Sequence, residues 1–142
     1  MNERISEKIK EMEEYLQNLF EISPDSLEEY KNNWKTRAIC ERLCEKIAEA
    51  CVDLAFLIFK KELDKDKNIR VAKDDSEVFE IIRDKNIISP ELCKKLIHLK
   101  GMRNIIAHEY GKVDDEIVFE IISNELERDA SKFIRCIEEK IK

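Results

Sequence analysis

Residues 38–59 read AICERLCEKIAEACVDLAFLIF and decide the fold, because apolar side chains recur every three or four positions with no glycine or proline among them. Such spacing marks one face of an amphipathic helix. The apolar row consists of Ile39, Leu43, Ile47, Cys51, Leu54 and Ile58. The longest apolar run contains Asp53 and is far shorter than the roughly 20 residues needed to cross a bilayer. The stretch therefore predicts a long, buried helix and no membrane span.

The sequence before this row continues the helical pattern. Apolar residues spaced by three and four predict a first helix from about Asn2 to Glu21. Ser23-Pro24-Asp25 combines a capping serine with a proline in the first turn, and it predicts the start of the long second helix. We expect a bend or a short break in that helix near residues 30–34.

A short third helix is predicted after a charged loop. Residues 60–73 are dense in charge and interrupt the apolar pattern. Asp74 or Asp75 then provides a cap for a helix over residues 76–85, and Asn86 ends it.

Two further helices are predicted toward the C-terminus. Ser89-Pro90-Glu91 opens a fourth helix that runs to about His108, and a fifth runs from about Asp114 to the end. The apolar residues of the fifth are expected in the core: Ile117, Ile121, Ile122, Leu126, Phe133, Ile134 and Ile137. Only two glycines and two prolines occur in the chain, which disfavours an all-β fold. The prediction is one all-α domain over residues 1–142, an antiparallel bundle of about five helices.

The charge of the chain is unevenly distributed. The net charge of −6 argues against a protein that coats nucleic acid or an anionic membrane by bulk attraction. Residues 93–113 nevertheless carry +4, against −10 for the remainder. This positively charged segment is suited to a local phosphate site that includes Lys100 and Lys112. Its lysines could equally form a solvated face. The first residues alternate in charge and lack an apolar export segment, so we expect a cytoplasmic protein.

The five cysteines indicate packing. Their odd number and the lack of a C-x-x-C pair are typical of neither a disulfide framework nor a zinc site. Cys40, Cys44 and Cys51 share one helical stripe, and Cys93 and Cys136 lie among apolar neighbours. We expect small core residues and no metal.

Polar side chains converge at the end of the fourth helix, in the string RNIIAHEY that begins at Arg103. Arg103 falls in the apolar row of that helix, so it must find an anion or a carboxylate. Tyr110 lies within about 20° of it if the helix persists that far. Asn104 and His108 form an i, i+4 pair. His98 lacks such neighbours and is predicted to be a structural or surface residue.

Two carboxylates on the second helix are candidate partners for this cluster. Asp53 is the only charge in residues 50–59, and Glu49 precedes it by one turn. A carboxylate in apolar surroundings is costly unless it is paired or exposed. Either one could meet Arg103 or His108 across the bundle and orient it, or both could face solvent.

The string Arg103-Asn104-Ile105-Ile106-Ala107-His108-Glu109-Tyr110 fits the pattern Arg-x-x-x-x-His-x-Tyr and resembles the signature of HepT-type HEPN-domain proteins. Other features resemble the same family in order and spacing. They are the Glu49-x-x-x-Asp53 helix and the short helix over residues 76–85, followed by Ile87-Ile88-Ser89-Pro90-Glu91. The resemblance covers most of the chain.

This resemblance implies a HEPN-like bundle that forms a homodimer, with the two motif regions facing one another. It implies a metal-independent endoribonuclease without a cofactor, the toxin of a type VII toxin–antitoxin pair, with RNA and not DNA as its substrate. An MntA-like minimal nucleotidyltransferase would be the antitoxin and would transfer AMP to Tyr110. Arg103 and His108 would be catalytic, while Asn104 and the two carboxylates Glu49 and Asp53 would support them.

These residue types suit that chemistry. RNA breaks when its 2′-hydroxyl attacks the adjacent phosphate, so the protein need only move protons and stabilise a more negative phosphorane. A histidine such as His108 exchanges protons near neutral pH, and the cationic fork of Arg103 matches phosphate oxygens. Asn104 would hold His108 or the phosphate. AMP on Tyr110 would place bulk and negative charge inside a positive cleft.

Two other interpretations stay open. A non-catalytic subunit could use the same positive cleft to present a substrate or a nucleotide to a nucleotidyltransferase, without proton transfer by His108. A purely structural helical adaptor would need neither Arg103 nor His108.

Overall fold

The computed structural model describes residues 2–108 and 113–141, without the side chain of His108. Every regular element in these ranges is a helix, which confirms the all-α class. In chain order the helices are α1 (Glu3–Ile22), α2 (Leu27–Asn32), α3 (Trp34–Lys65), α4 (Asp75–Asp84), α5 (Pro90–His108), α6 (Asp115–Glu120) and α7 (Leu126–Lys140). The predicted second and fifth helices are each divided in two.

Helix α3 is the centre of the bundle, and its 32 residues contact α1, α2, α4, α5 and α7. The predicted row is buried from Ile47 onward, but Ile39 is 45% exposed, and the buried row begins instead with Cys40 and Cys44. Steps of four residues drift around a helix, so Ile39 lies roughly 120° from Cys51 while Cys40 lies within roughly 20° of it. None of the helices described, α3 included, is long and apolar enough to span a bilayer.

The predicted helix start at Ser23 is wrong. Ser23 ends α1, and its hydroxyl donates to the carbonyl of Leu19 over 2.7 Å. Pro24 follows, as is common just after a helix C-terminus. Helix α2 begins one residue after Ser26, whose Oγ accepts from the backbone N–H of Glu29.

The bend expected near residues 30–34 is a complete break at Asn33. Its backbone is extended, with φ −120° and ψ 95°. Its side-chain oxygen accepts from the N–H of Thr36 at 3.1 Å and so caps α3. The predicted long helix is therefore a short α2 followed by the long α3.

Helices α4 and α5 begin where the sequence predicts. Asp74 accepts from the N–H of Glu77 at 2.9 Å, and Ser89 Oγ accepts from the N–H of Leu92 at 3.0 Å. Between the helices, Asn86 has a φ of 64°, a left-handed conformation that asparagine tolerates better than most residues. Because the connection is this short, α4 and α5 pack against each other as an antiparallel hairpin.

The predicted fifth helix contains a π-helical stretch, Ile121–Glu125, between α6 and α7. The N–H of Leu126 donates to the carbonyl of Ile121, five residues earlier, and this wider turn accommodates one extra residue. One extra residue rotates the preceding segment by about 100°, so Val118 is buried and Ile117, expected in the core, is 49% exposed. The other predicted core residues here are buried: Ile121, Ile122, Leu126, Phe133, Ile134 and Ile137.

The cysteines are packing residues, as predicted. All five are free; Cys136 is partly exposed, and the other four are buried. Burial raises the pKa of the Cys44 and Cys51 thiols to about 12, so they carry no thiolate at neutral pH. Within the ranges described, no three His, Cys, Asp or Glu side chains gather as a metal site would require.

Candidate active site

Helix α5 buries one face and leaves the motif arginine at the edge of that face. The buried residues are Leu92, Cys93, Leu96, Leu99, Met102 and Ile106. Met102 takes the packing position that the sequence pattern gave to Arg103, and the Arg103 side chain is 21% exposed. The guanidinium therefore lies between the core and the solvent, where it can meet a ligand.

Two neighbours hold the guanidinium of Arg103. Oδ1 of Asn104 accepts from Nη2 at 2.8 Å and from Nε at 3.2 Å. Oδ2 of Asp75 accepts from Nη2 at 3.3 Å, in an ion pair that links α5 to α4. Arg103 was expected within the packing row and in need of an anion or a carboxylate; it lies beside that row, and it has a carboxylate.

That carboxylate does not come from the helix where it was expected. Asp53 is exposed and pairs with Lys8 of α1, with 3.3 Å between Oδ2 and Nζ. Helix α1 packs along α3, whereas α4 brings Asp75 to Arg103. Glu49 is partly buried on α3. Its supporting role, and any contact of the two α3 carboxylates with the His108 side chain, stay predictions.

One feature of the sequence indicates that Asp75 lies near Arg103. Helices α4 and α5 are joined by a tight turn, so residues at similar distances before and after that turn come together in an antiparallel hairpin. Asp75 lies nine residues before the end of α4 and Arg103 thirteen residues after the start of α5, so they are such a pair to within about one helical turn. In the sequence alone Asp75 stands as an alternative helix cap, a role that Asp74 fills in the structure.

A second contact joins the same two helices. Nζ of Lys100, one turn before Arg103 on α5, donates to Oγ of Ser76 at 3.2 Å. Two cations of α5 thus lie against two successive residues of α4. The role of Lys100 in phosphate binding stays a prediction, and Lys112, its expected companion, lies outside the described residues.

His108 and Tyr110 stand at the limit of what the structure describes. His108 is the last residue of α5, one helical turn after Asn104, so the expected i, i+4 register holds for the backbone. The side chain of His108 and the whole of Tyr110 lie outside the described residues. Their catalytic and modified roles stay predictions.

A groove of about 520 Å³ lies on a different part of the surface, formed by residues of α2, α5, α6 and the π-helical stretch. His98, predicted to be a structural or surface residue, is exposed and lines this groove. Four carboxylates also line it: Asp114, Glu116, Glu120 and Glu125. They would repel a phosphate, so the surroundings of Arg103 suit such a ligand better.

Comparison with known proteins identifies the family of the chain. The family model for ribonuclease HepT-like proteins matches residues 5–137. The tRNA nuclease HepT of Aphanizomenon flos-aquae is 32% identical over 114 residues, which cover 80% of this chain and 74% of that protein. The mRNA nuclease HepT of Shewanella oneidensis is 23% identical over 137 residues, which cover 96% of this chain and 98% of that protein.

Solved structures share the fold. A tri-AMPylated HEPN toxin of Shewanella oneidensis, in complex with an MNT antitoxin, has a TM-score of 0.84 at 22% identity and covers 98% of this chain and 99% of its own. A toxin–antitoxin structure with AMP-PNP has a TM-score of 0.83 at 20% identity, and the match covers 97% of this chain and 99% of that chain. Because the family match spans nearly the whole bundle and a relative above 30% identity agrees with it, this chain belongs to the ribonuclease HepT-like family.

Proposed function

We propose that this protein is a metal-independent endoribonuclease toxin of a type VII toxin–antitoxin pair. Family membership supports ribonuclease activity, and the relatives named as tRNA and mRNA nucleases support RNA as the substrate. The observation that best supports the assignment is the position of the Arg103 guanidinium. Asn104 and Asp75 hold it at a partly exposed position on the helix that also carries His108.

The proposed reaction is a transesterification followed by release of the cleaved strand. The 2′-oxygen of one ribose bonds to phosphorus, and the bond from phosphorus to the 5′-oxygen of the next nucleotide breaks. A base takes the proton of the 2′-hydroxyl and an acid gives a proton to the leaving oxygen, so a 2′,3′-cyclic phosphate and a 5′-hydroxyl result. His108 suits the proton transfers, and Arg103 suits the charge that develops on the phosphorane.

A direct test uses purified protein and single-stranded RNA in the presence of EDTA. We expect Arg103→Ala and His108→Ala each to slow cleavage by at least about 100-fold, the size typical of lost acid–base or electrostatic catalysis. His98→Ala is the matched control, because it removes the other histidine of α5 and is expected to cleave at the wild-type rate.

Three outcomes would contradict this assignment. Equal cleavage by wild type and His108→Ala would show that His108 is not catalytic, and loss of cleavage in EDTA would show that a metal is required. If His108→Ala stays toxic in cells while Arg103→Glu abolishes binding of the antitoxin, the protein is a non-catalytic subunit.

We propose that two copies of the chain form the working site. Positions 103 and 108 are separated by roughly 140° around one helix, so Arg103 of one copy and His108 of the other can enclose a phosphate better than a single chain. Ile105 lies between them in the sequence and roughly 60° beyond position 108 around the helix. It is 45% exposed, as expected of an apolar residue that a second copy covers.

The dimer is tested by sedimentation of the wild type and of Ile105→Lys at the same concentration. We expect a dimer for the wild type and mostly monomer for the variant, because burying an unpaired lysine is costly. Val71→Lys is the control, since Val71 is 70% exposed in the loop before α4. A wild-type protein that cleaves RNA as a monomer would refute the shared site.

We propose that an MntA-like minimal nucleotidyltransferase neutralises the toxin by transferring AMP to Tyr110. A protein of the same fold has been solved in a tri-AMPylated form with an MNT antitoxin. With such an enzyme and ATP, the wild type is expected to gain the mass of one or more AMP units and to lose nuclease activity. Tyr110→Phe is expected to keep its mass; AMP on another residue of that variant would refute the assignment.

A further inference from the structure

The first turn of α4 holds the cationic side chains of α5 in place. Asp75 Oδ2 lies 3.3 Å from Nη2 of Arg103, and Ser76 Oγ lies 3.2 Å from Nζ of Lys100. These contacts link residues 28 and 24 positions apart in the sequence. Since the Arg103 and Asp75 side chains are only 21% and 30% exposed, solvent screens this pair less than an ordinary surface ion pair.

The contacts of Arg103 occupy one edge of its guanidinium. Asn104 accepts from Nε and Nη2, and Asp75 accepts from Nη2 on the α4 side. In the part of the chain that the structure describes, every hydrogen bond of this guanidinium uses Nε or Nη2. The Nη1 end, with its two N–H groups, takes part in none of these contacts.

We propose that Asp75 is a positioning residue of the ribonuclease, which fixes the rotamer of Arg103 and directs the scissile phosphate to Nη1. This inference rests on the proposed function. The Asp75 carboxylate repels phosphate oxygens from the Nη2 side, and with Asn104 it restricts the long side chain before RNA arrives. A donor fixed in advance stabilises the developing phosphorane charge without reorganisation during the reaction.

The same carboxylate lowers the positive charge of the site. Its removal leaves Arg103 with its full attraction for RNA but without a fixed orientation, because only the neighbouring Asn104 then holds it. Loss of the Asp75 charge is therefore expected to change binding and cleavage in opposite directions: tighter binding and slower chemistry. A residue with a merely structural role would weaken both together.

The test compares Asp75→Asn with the matched control Asp74→Asn. Both substitutions remove one negative charge from the start of α4, but Asp74 contacts the backbone of Glu77 instead of Arg103. Asparagine is a good helix cap, so α4 keeps its start in the control. Thermal melting of both variants shows whether the fold is equally retained.

Binding is measured by fluorescence anisotropy with a 2′-O-methyl RNA, which has no free 2′-hydroxyl and is not cleaved. Cleavage is measured in single turnover with excess protein and an ordinary RNA of the same sequence. For Asp75→Asn we expect about threefold tighter binding at low salt and about tenfold slower cleavage. For Asp74→Asn we expect the wild-type cleavage rate and a smaller change in binding. Asp75→Glu, which restores the charge, is expected to recover part of the lost rate.

Outcomes for the inference and for the proposed function are distinct. Wild-type cleavage by Asp75→Asn, or a parallel loss of binding and cleavage, overturns the inference while the ribonuclease assignment stands. A wild-type protein that cleaves no RNA overturns the proposed function. The binding measurement then tests only the contact between Asp75 and Arg103: tightening by Asp75→Asn that vanishes when Arg103→Ala is added supports this contact, and the same affinity as wild type refutes it.

Discussion

The hydroxyl oxygen of Tyr30 is the only buried side-chain nitrogen or oxygen atom without a hydrogen-bond partner in the described part of the chain. The ring is fully buried and lies 5.6 Å from that of Phe119, centroid to centroid. Burial raises the pKa of the Tyr30 hydroxyl well above its ordinary value. The ring therefore stabilises the core, while the hydroxyl loses its hydration on folding and regains no bond.

We predict that Tyr30→Phe raises the free energy of unfolding by about 1 kcal/mol, because it removes an unsatisfied polar group and keeps the ring. Urea denaturation measures this directly. Tyr15→Phe is the control, since Tyr15 is only partly buried and no gain is expected there. A destabilised Tyr30→Phe would mean that the hydroxyl forms a stabilising bond.

Single residues also show how far the sequence predicts the site. The sequence places Arg103 in the apolar row of its helix and therefore predicts a counter-charge. In the structure Arg103 lies beside that row and does pair with a carboxylate. Helices α3 and α4 both lie against α5, so which carboxylate supplies the charge depends on the face that each helix turns toward Arg103. The short α4–α5 connection indicates Asp75, but the apolar run around Asp53 does not show which way Asp53 faces. Asp53 stands out in an apolar run, yet it faces Lys8, while the inconspicuous Asp75 reaches the guanidinium.

At the level of helices, the start of α5 depends on one side chain. Ser89 Oγ accepts from the N–H of Leu92 at 3.0 Å. We predict that Ser89→Ala lowers the free energy of unfolding by about 1 kcal/mol, the usual loss for a helix cap. Ser89→Asn keeps an acceptor and is expected to stay near wild-type stability. Equal melting of all three proteins would show that this cap contributes little.

Helix boundaries are only partly predictable, because one capping signal fits two outcomes. Ser89-Pro90 caps the start of α5, and of the two candidate aspartates Asp74 caps α4. Ser23-Pro24 fits a helix start as well as a helix end followed by proline, and the structure has the end. The π-helical stretch is not visible in the sequence, because its extra residue is accommodated by packing against the rest of the bundle. The exposure of Ile117 is the result.

For the whole molecule, the buried thiols predict a loss of stability in alkali. The folded-state pKa of Cys44 and Cys51 is about 12, above the ordinary value of 9.0. Above pH 9 the unfolded thiols lose protons while the folded ones keep theirs. These thiols therefore leave the free energy of unfolding unchanged below pH 9 and lower it as the pH rises toward 12, by roughly 1 kcal/mol per pH unit for each thiol.

Melting temperatures at pH 7, 8, 9 and 10 check this. The melting temperature of the wild type is expected to stay constant up to pH 8 and to fall above pH 9. The double variant Cys44→Ala/Cys51→Ala is less stable at pH 7 because of the cavities it creates, but its decline between pH 8 and 10 is expected to be shallower. An equal decline in both proteins would assign the alkaline loss to other groups.

The chain can also be cut into two fragments at the stretch between α3 and α4. One piece would carry α1 to α3 and the other α4 to α7, and each would hold one side of the apolar contact that α3 makes with α4, α5 and α7. Neither piece can bury that surface alone, so fragments made separately are expected to be harmless to a cell. Fused to two proteins that bind each other, they would regain nuclease activity upon that encounter, as a split reporter does.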